Sequence, residues 1–150
     1  DASLTIPTSV KLPLSIGIPN AYIPDQALRL KLYRRLADIK DEMALASLEM
    51  EFEDRFGPLP EQVRNLIFQI KVKLMAALAG LASVGFEGRQ LVLRYPSLPE
   101  GIQSRELPEL GKGIIAGKNA YRIQFDDPSQ APWQEITVSV LQKIRKIKAY

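Results

Sequence analysis

Residues 51–60 read EFEDRFGPLP, and this stretch decides the fold because it ends one helix and begins another. Glycine is favoured just after the last helical turn, and proline is favoured in the first turn of the next helix. The segment from Asp41 to Phe56 places apolar side chains on one helical face, at Leu45, Leu48, Phe52 and Phe56. The sequence therefore predicts a helix that ends at Gly57-Pro58 and another that opens near Pro60.

The segments on both sides of this pair also have helical periodicity. Upstream, Asp25 can accept hydrogen bonds from the first free amides of a helix. That helix has one apolar stripe, formed by Leu28, Leu32, Leu36 and Ile39. Downstream, the most regular apolar pattern of the chain is formed by Val63, Leu66, Ile67, Ile70, Leu74, Ala77 and Leu78. Gly80-Leu81 fits a left-handed C-terminal cap.

Strand patterns lie before and after the helices. Residues 4–18 alternate but contain prolines, which lack a backbone donor, so we predict an edge strand there. Residues 81–86 and 90–95 read as a hairpin around Gly88, and residues 114–116 and 120–125 read as a second hairpin. Residues 96–113 contain three prolines and three glycines and are predicted to be a loop.

Residues 133–147 fit either a helix or a strand. A helix would align the side chains of Trp133, Ile136, Val140, Leu141, Ile144 and Ile147. Ile136, Val138 and Val140 also alternate as in a strand, but we favour the helix. The predicted fold class is α+β, with a three-helix N-terminal bundle packed with a small antiparallel sheet and a C-terminal helix. We predict a single domain over residues 1–150, divided into a lead strand and turn (1–24), helices (25–79), hairpins and a loop (80–127), and a C-terminal helix with a basic tail (128–150).

The composition excludes most enzyme classes. The chain has no cysteine and no histidine, which excludes disulfides, cysteine catalysis, the usual zinc ligands and any imidazole base. No catalytic residue, metal ligand or cofactor is predicted. No apolar run approaches the roughly 20 residues of a membrane span, and the N-terminus lacks the order of a secretory signal. We therefore expect a soluble protein that does not contact a membrane.

The segment GKGIIAGKN at residues 111–119 resembles a phosphate-binding loop only superficially. Such a loop needs four residues between its glycines and a hydroxyl residue after the lysine. Here Gly113 and Gly117 are separated by three residues, and Asn119 follows Lys118. The sequence therefore favours an ordinary hairpin turn at this position.

Close carboxylates occur in the second helix, at Glu49, Glu51, Glu53 and Asp54. One interpretation is a solvated acidic face. The alternative is a docking surface, because Glu51 and Asp54 lie one helical turn apart and can together receive an arginine from another domain.

Basic residues cluster in the first helix and near the C-terminus. The candidate nucleic-acid contacts are Arg29, Arg34, Arg35, Lys143, Arg145 and Lys146. The net charge of +3 is too small to dictate such binding, and ion pairs with the acidic second helix account for much of the pattern. Tyr22, Tyr33 and Trp133 do not interleave with the basic residues, so we expect them to pack rather than stack on bases.

Two motifs and the segment between them together resemble a known family. YIPD at residues 22–25 is followed by LYRRLA at 32–37 and then by EFEDRFGPLP at 51–60. Because these segments occur together and at this separation, the chain resembles the C-terminal domain of bacterial transcription-repair coupling factors over roughly residues 10–95. The Gly80-Leu81 step also resembles that family, whereas the match is weak from about residue 96 onward.

The resemblance implies a function for this domain. The full protein of the family is an ATP-driven translocase on double-stranded DNA that removes stalled RNA polymerase and recruits the excision-repair subunit UvrA. The domain itself contains no motor motif, and it is implied to pack against an N-terminal UvrB-like domain of the same cytoplasmic protein, where it covers the UvrA-binding surface. The family's acidic contact falls on Glu51 and Asp54, and the predicted protein-binding residues are Glu51, Asp54 and Arg55.

Overall fold

The structure, a computed structural model, describes residues 8–148 and has an α+β fold. Its elements are β1 (Ser9–Lys11), α1 (Gln26–Ala37), α2 (Glu42–Phe56), α3 (Glu61–Leu78), β2 (Ser83–Glu87), β3 (Gln90–Arg94), β4 (Ile114–Ala116), β5 (Ala120–Gln124) and α4 (Trp133–Lys148). The predicted fold class, both hairpins and the C-terminal helix are confirmed. Residues 4–7 of the predicted lead strand and residues 149–150 of the predicted tail lie outside the described residues.

The contacts of the chain fall into two compact units. Residues 13–74 form a helical unit, and residues 8–12 together with 75–148 form a sheet unit. The prediction of a single domain over the whole chain stays a prediction.

The helices begin where the sequence places capping residues. The Asp25 carboxylate accepts hydrogen bonds from the backbone N–H groups of Ala27 and Leu28, and the Asp41 carboxylate accepts one from Ala44. Gly57 has a φ of +91°, a conformation that side chains rarely adopt, and it follows the last residue of α2. The predicted bounds of α1 and α2 are therefore confirmed to within a residue or two.

The core of the helical unit contains the predicted apolar stripes of α1, α2 and the first part of α3, together with residues outside those stripes. Its buried members are Ile18, Ile23, Leu32, Leu36, Leu45, Leu48, Phe52, Leu59, Val63 and Ile67. Leu28, Ile39 and Phe56 pack against this core but are only partly buried. Further along α3 the prediction was wrong, because Ala77 and Leu78 are exposed whereas Met75 and Ala76 are buried. Burying large aliphatic and aromatic side chains contributes about 1.5–3 kcal/mol each, so this core supplies much of the unit's stability.

One tyrosine joins the chain before α1 to the end of α2. The Tyr22 hydroxyl lies 2.8 Å from the Gly57 carbonyl and 3.1 Å from the Phe52 carbonyl, and it donates to them. Its ring meets the Phe56 ring edge to face at 5.8 Å. Burial raises the pKa of Tyr22, and the nearby Glu53 carboxylate adds to the effect. The hydroxyl therefore stays protonated and keeps this bond.

The sheet is mixed rather than purely antiparallel. Its strand order is β1-β2-β3-β5-β4, and every neighbouring pair except β1 and β2 is antiparallel. β1 runs parallel to β2, with Val10 opposite Val84. Parallel neighbours require a long crossover connection, and here α1, α2 and α3 lie between the two strands in sequence. The predicted position of the lead strand at an edge of the sheet is confirmed, but the strand is shorter than predicted, because residues 12–18 are not in a strand.

The helical interpretation of the C-terminal segment is confirmed by α4. Its buried side chains recur every three or four residues, at Trp133, Thr137, Val140, Leu141 and Ile144. The Thr137 hydroxyl donates to the Trp133 carbonyl at 2.7 Å, which satisfies a buried polar group within the helix. The Trp133 ring meets the Phe86 ring of β2 at 5.3 Å.

Gly85 leaves no space for a side chain between β1 and β2. A Cβ atom at this position would lie 2.9 Å from the Lys11 carbonyl oxygen, which is backbone and cannot rotate away. We therefore expect Gly85→Ala to lower the free energy of unfolding of the sheet unit by about 1–3 kcal/mol, as overpacking does in other cores. Urea unfolding followed by the fluorescence of Trp133, the single tryptophan of the chain, measures the change.

Ser83→Ala is the matched control, because Ser83 lies two residues away on the same face of β2 and the substitution adds no atoms. If the two variants were equally stable, the Lys11 backbone would be able to move away from the new Cβ atom without an energetic cost.

Candidate functional site

The Glu51 carboxylate of α2 is held by two arginines. Its Oε2 and Oε1 atoms accept a bidentate pair of hydrogen bonds from Arg35 of α1, at 2.7 and 2.9 Å. Arg55, one turn further along α2, donates to Oε2 at 2.9 Å. The Glu51 side chain is 33% exposed, so the arrangement lies at the surface. The expectation that ion pairs within the helical hairpin account for part of the basic pattern is confirmed at Arg35.

These contacts fix the charge of Glu51. The hydrogen bonds from Arg35, and secondly those from Arg55, lower the pKa of Glu51 to about 2. The same hydrogen bond raises the pKa of Arg35. The carboxylate is therefore ionised at any physiological pH. Because exposed ion pairs add little net stability, the main effect of this network is to orient the three side chains.

Asp54 lies one turn beyond Glu51 and is exposed. Among residues 8–148, no lysine or arginine lies within ion-pair distance of its carboxylate. It borders an open depression of about 430 Å³, which is lined by Glu49, Glu53, Asp54, Pro58, Leu59 and Arg64. The Arg64 guanidinium donates from Nη1 to the Leu59 carbonyl at 2.7 Å, which ties it to the link between α2 and α3. Three carboxylates thus surround a small concave surface.

Glu49 and Glu53 were not among the predicted protein-binding residues. Their spacing of four places them on neighbouring turns of one helix face, and this signal was present in the sequence. The concave shape could not be predicted from the sequence, because it depends on the direction in which Pro58 and Leu59 continue from the helix.

Arg55 also serves a local role. Besides its bond to Glu51, its guanidinium lies 4.9 Å from the centroid of the Phe56 ring. A cation over an aromatic face is favourable, so both neighbours restrain this side chain. The structure brings Arg55 together with Glu51, and its predicted contact with another protein stays a prediction.

The predicted nucleic-acid contacts are divided between the two units. In α1, Arg29 donates to the carbonyls of Ile23 and Pro24 at 2.7 and 3.0 Å, Arg35 is bound to Glu51, and Arg34 is exposed. In α4, the predicted residues Lys143, Arg145 and Lys146 are exposed in the last turns, as is Lys148. Two of the three arginines in α1 are therefore committed to contacts within the chain.

The aromatic candidates for base stacking have structural roles. The Tyr33 hydroxyl accepts a hydrogen bond from the Ile18 N–H at 2.7 Å, Tyr22 binds the end of α2, and Trp133 is buried. Packing was the expectation for all three, and the contacts agree with it.

Within residues 8–148, no group of three or more acidic side chains is placed to hold a metal ion. The helices in this same range are also too short or too polar to cross a bilayer.

The sequence model of the TRCF domain matches residues 12–101, which is more than half of the chain. The chain belongs to the TRCF domain family. This match contains all of α1, α2 and α3, the Glu51 network and the acidic depression, and it ends within the loop that precedes β4. The predicted family is therefore confirmed.

Relatives of this TRCF domain carry the name transcription-repair-coupling factor. The protein of Rickettsia prowazekii (strain Madrid E) is 33% identical over 87 residues, covering 58% of the chain and 8% of the relative. The protein of Escherichia coli (strain K12) is 35% identical over 74 residues, covering 49% of the chain and 6% of the relative. These alignments thus span less than a tenth of the length of the curated relatives.

A crystal structure of the C-terminal domain of transcription-repair coupling factor has the same fold. It superposes with a TM-score of 0.69 at 19% identity, and the alignment covers 97% of this chain and 99% of that one. The fold of the TRCF domain therefore extends beyond residues 12–101 to α4.

The Glu51 network predicts a pH dependence of stability. A carboxylate whose folded pKa of about 2 lies below its ordinary value of 4.5 stabilises the fold above the ordinary value, and the contribution disappears as the pH falls to the folded pKa. We expect the difference in free energy of unfolding between the wild type and Glu51→Gln to be constant above pH 4.5. This difference should decrease to zero as the pH falls from about 4.5 to 2. Urea unfolding followed by circular dichroism over this range measures it.

The control is the same substitution in a background that carries Arg35→Gln and Arg55→Gln. Without the two guanidinium groups, the pH dependence of the difference should disappear. If it persists, Glu51 owes its stabilising effect to something other than these arginines.

Proposed function

We propose that this TRCF domain is a non-catalytic regulatory module of a transcription-repair coupling factor. In this proposal, the acidic end of α2 docks on the N-terminal UvrB-like domain of the same polypeptide and covers the surface that UvrA binds. Membership of the TRCF family and the names of the relatives support the assignment to a coupling factor. The docking role is supported by the acidic end of α2.

The observation that carries the proposal is the state of Asp54. Its carboxylate is exposed, it borders a concave surface with Glu49 and Glu53, and no cation among residues 8–148 pairs with it. An arginine from a partner would give Asp54 the cation that it lacks and could bind it in a bidentate manner.

Glu51 plays a different part in this proposal. Both of its oxygens already accept hydrogen bonds from Arg35 and Arg55. An incoming arginine would share a carboxylate whose charge two arginines already balance, so Glu51 would attract it less strongly than Asp54 does. Asp54 is therefore the principal contact, whereas Glu51 orients Arg35 and Arg55.

A contact of this kind suits a reversible mask. Complementary charges increase the association rate and fix the register, while exposed pairs contribute little affinity each. The closed arrangement can then be released by a modest competing interaction, and release exposes the partner site as a shift of population.

The alternative is a nucleic-acid-binding accessory domain that uses the first helix and the C-terminal basic residues. It is the weaker proposal, because Arg29 and Arg35 bind groups of their own chain. Its remaining support is the set of exposed cations on α4.

The docking surface predicts a charge-reversal effect. We expect Asp54→Lys combined with Glu53→Lys to weaken binding of the chain to the isolated UvrB-like domain by about tenfold or more, since like charges would then meet across the interface. Isothermal titration at low and moderate salt measures the affinity. Thermal unfolding should change little, because exposed substitutions alter stability by about 0.5 kcal/mol or less.

Glu109→Lys, an exposed charge reversal outside the helical unit, is the control and should bind as the wild type does. Undiminished binding of the double variant would exclude the acidic end of α2 as the docking surface.

The masking role predicts competition. Added in excess, the chain should reduce binding of UvrA to the isolated UvrB-like domain, and the Asp54→Lys, Glu53→Lys variant should not. A pull-down with purified proteins measures it. If the wild-type chain binds the UvrB-like domain without displacing UvrA, the contact is not a mask.

A further inference from the structure

β4 forms an unpaired edge of the sheet. It is the last strand in the order and pairs only with β5 among the described residues, with Ile115 opposite Arg122 and Ala116 opposite Tyr121. The Gly117 N–H donates to the Ala120 carbonyl at 2.8 Å and closes the hairpin. Because hydrogen-bonded and non-bonded pairs alternate in an antiparallel ladder, Ile115 bonds to β5 and Ala116 turns its N–H and C=O outward. This edge can therefore accept another strand.

An open groove of about 570 Å³ lies beside the beginning of β4, between the β4–β5 hairpin and α4. Its apolar surface is formed by Ile114, Ile123, Phe125, Ile136 and Val140. Ile114 belongs both to the groove and to the strand edge. A strand added to β4 would therefore project one of its side chains toward apolar surface, and alternate side chains would project away from it.

The groove has a basic end. Lys112 and Lys143 line it, and the Lys143 Nζ would lie 3.5 Å from a Cβ atom at Gly111. Residues 111–114 form a tight turn, in which the Ile114 N–H donates to the Gly111 carbonyl at 3.3 Å. Gly113 has a φ of +84°, which suits the third position of a type II turn. Two ammonium groups thus lie where an added strand would end.

The remaining charged group of the groove is Glu135. It precedes Lys143 by eight residues, or about 12 Å along α4 at the helical rise, so the groove has an acidic and a basic side. A negatively charged group of a ligand is directed to the side of Lys112 and Lys143. A nucleic-acid backbone would use the lysines but leave the apolar surface without a partner.

We propose that this groove binds the C-terminal end of a partner protein. The last residues of the partner add to β4 as a short antiparallel strand, an apolar last side chain enters the groove, and the α-carboxylate binds Lys112 and Lys143. The short length of β4, three residues, fits a chain end better than an internal strand, because the carboxylate supplements the few backbone hydrogen bonds. The groove lies beyond residues 12–101, so this site is separate from the proposed docking surface on α2.

The test uses the whole chain and a pool of fluorescent hexapeptides that are random except for a last valine, isoleucine or leucine with a free carboxylate. Anisotropy selects the tightest peptides, and amide NMR shifts of the labelled chain locate them. We expect binding tighter than about 1 mM, the weak limit of specific recognition, with shifts at residues 111–116 and along α4. Amidation of the selected peptide should weaken binding about fivefold or more, because it removes one charge.

Matched variants separate the contributions. Lys112→Glu and Lys143→Glu should each weaken binding about tenfold, since a repulsive contact replaces an attractive one. Lys118→Glu makes the same charge change on the same hairpin outside the groove and should bind as the wild type does. Ala116→Pro removes an outward N–H from an edge strand, where proline is tolerated, and should also weaken binding.

Several outcomes would overturn the proposal. These are no peptide binding below about 1 mM, equal affinity of the amidated and free peptides, wild-type affinity of both groove lysine variants, or shifts confined to other surfaces. If duplex DNA shifts the same amides and no peptide does, the lysines bind phosphate and the proposal is wrong. The amidated peptide changes nothing in the protein, so this arm does not depend on the folding of any variant.

Discussion

The position of the C-terminal end of α2 depends on hydrogen bonds from the Tyr22 hydroxyl. This one group donates to the carbonyl of Gly57, the residue that caps α2, and to the carbonyl of Phe52 in the last turn of the helix. It thereby connects the YIPD segment to the EFEDRFGPLP segment, the two motifs on which the family resemblance rests. Asp54 and Glu53 lie between the two carbonyls in sequence. The bond thus holds the end of α2, which carries the acidic surface, to a residue about thirty positions upstream.

Features encoded by neighbouring residues could be predicted from the sequence. Asp25 and Asp41 cap their helices and Gly57 ends α2, because capping depends on residues within one turn. The parallel pairing of β1 with β2 could not be predicted, since Val10 and Val84 are far apart in sequence and a short alternating segment does not specify its neighbour. The sequence of α4 fitted either a helix or a strand, because its β-branched residues suit a strand. In the structure its buried residues recur with helical spacing on one face.

The candidate site was predictable in composition but not in pairing. The sequence places acids on α2 opposite the basic residues of α1, yet only the structure shows that Glu51 binds Arg35 and Arg55 while Asp54 binds neither. The lysine-lined groove could not be predicted from the sequence, because its shape depends on how α4 packs against the second hairpin. The two surfaces belong to different units and have opposite charge, so a chain with a net charge of only +3 presents two chemically distinct faces.

Gly85 constrains how this sequence can diverge. As long as β1 lies against β2, the carbonyl of Lys11 occupies the space that any side chain at position 85 would need. A lineage that replaces this glycine must also adjust the pairing of β1 with β2, because the Lys11 backbone cannot rotate out of the way. Substitution at position 85 and a shift of β1 are thus coupled changes, and the first of them alone lowers the stability of the sheet unit.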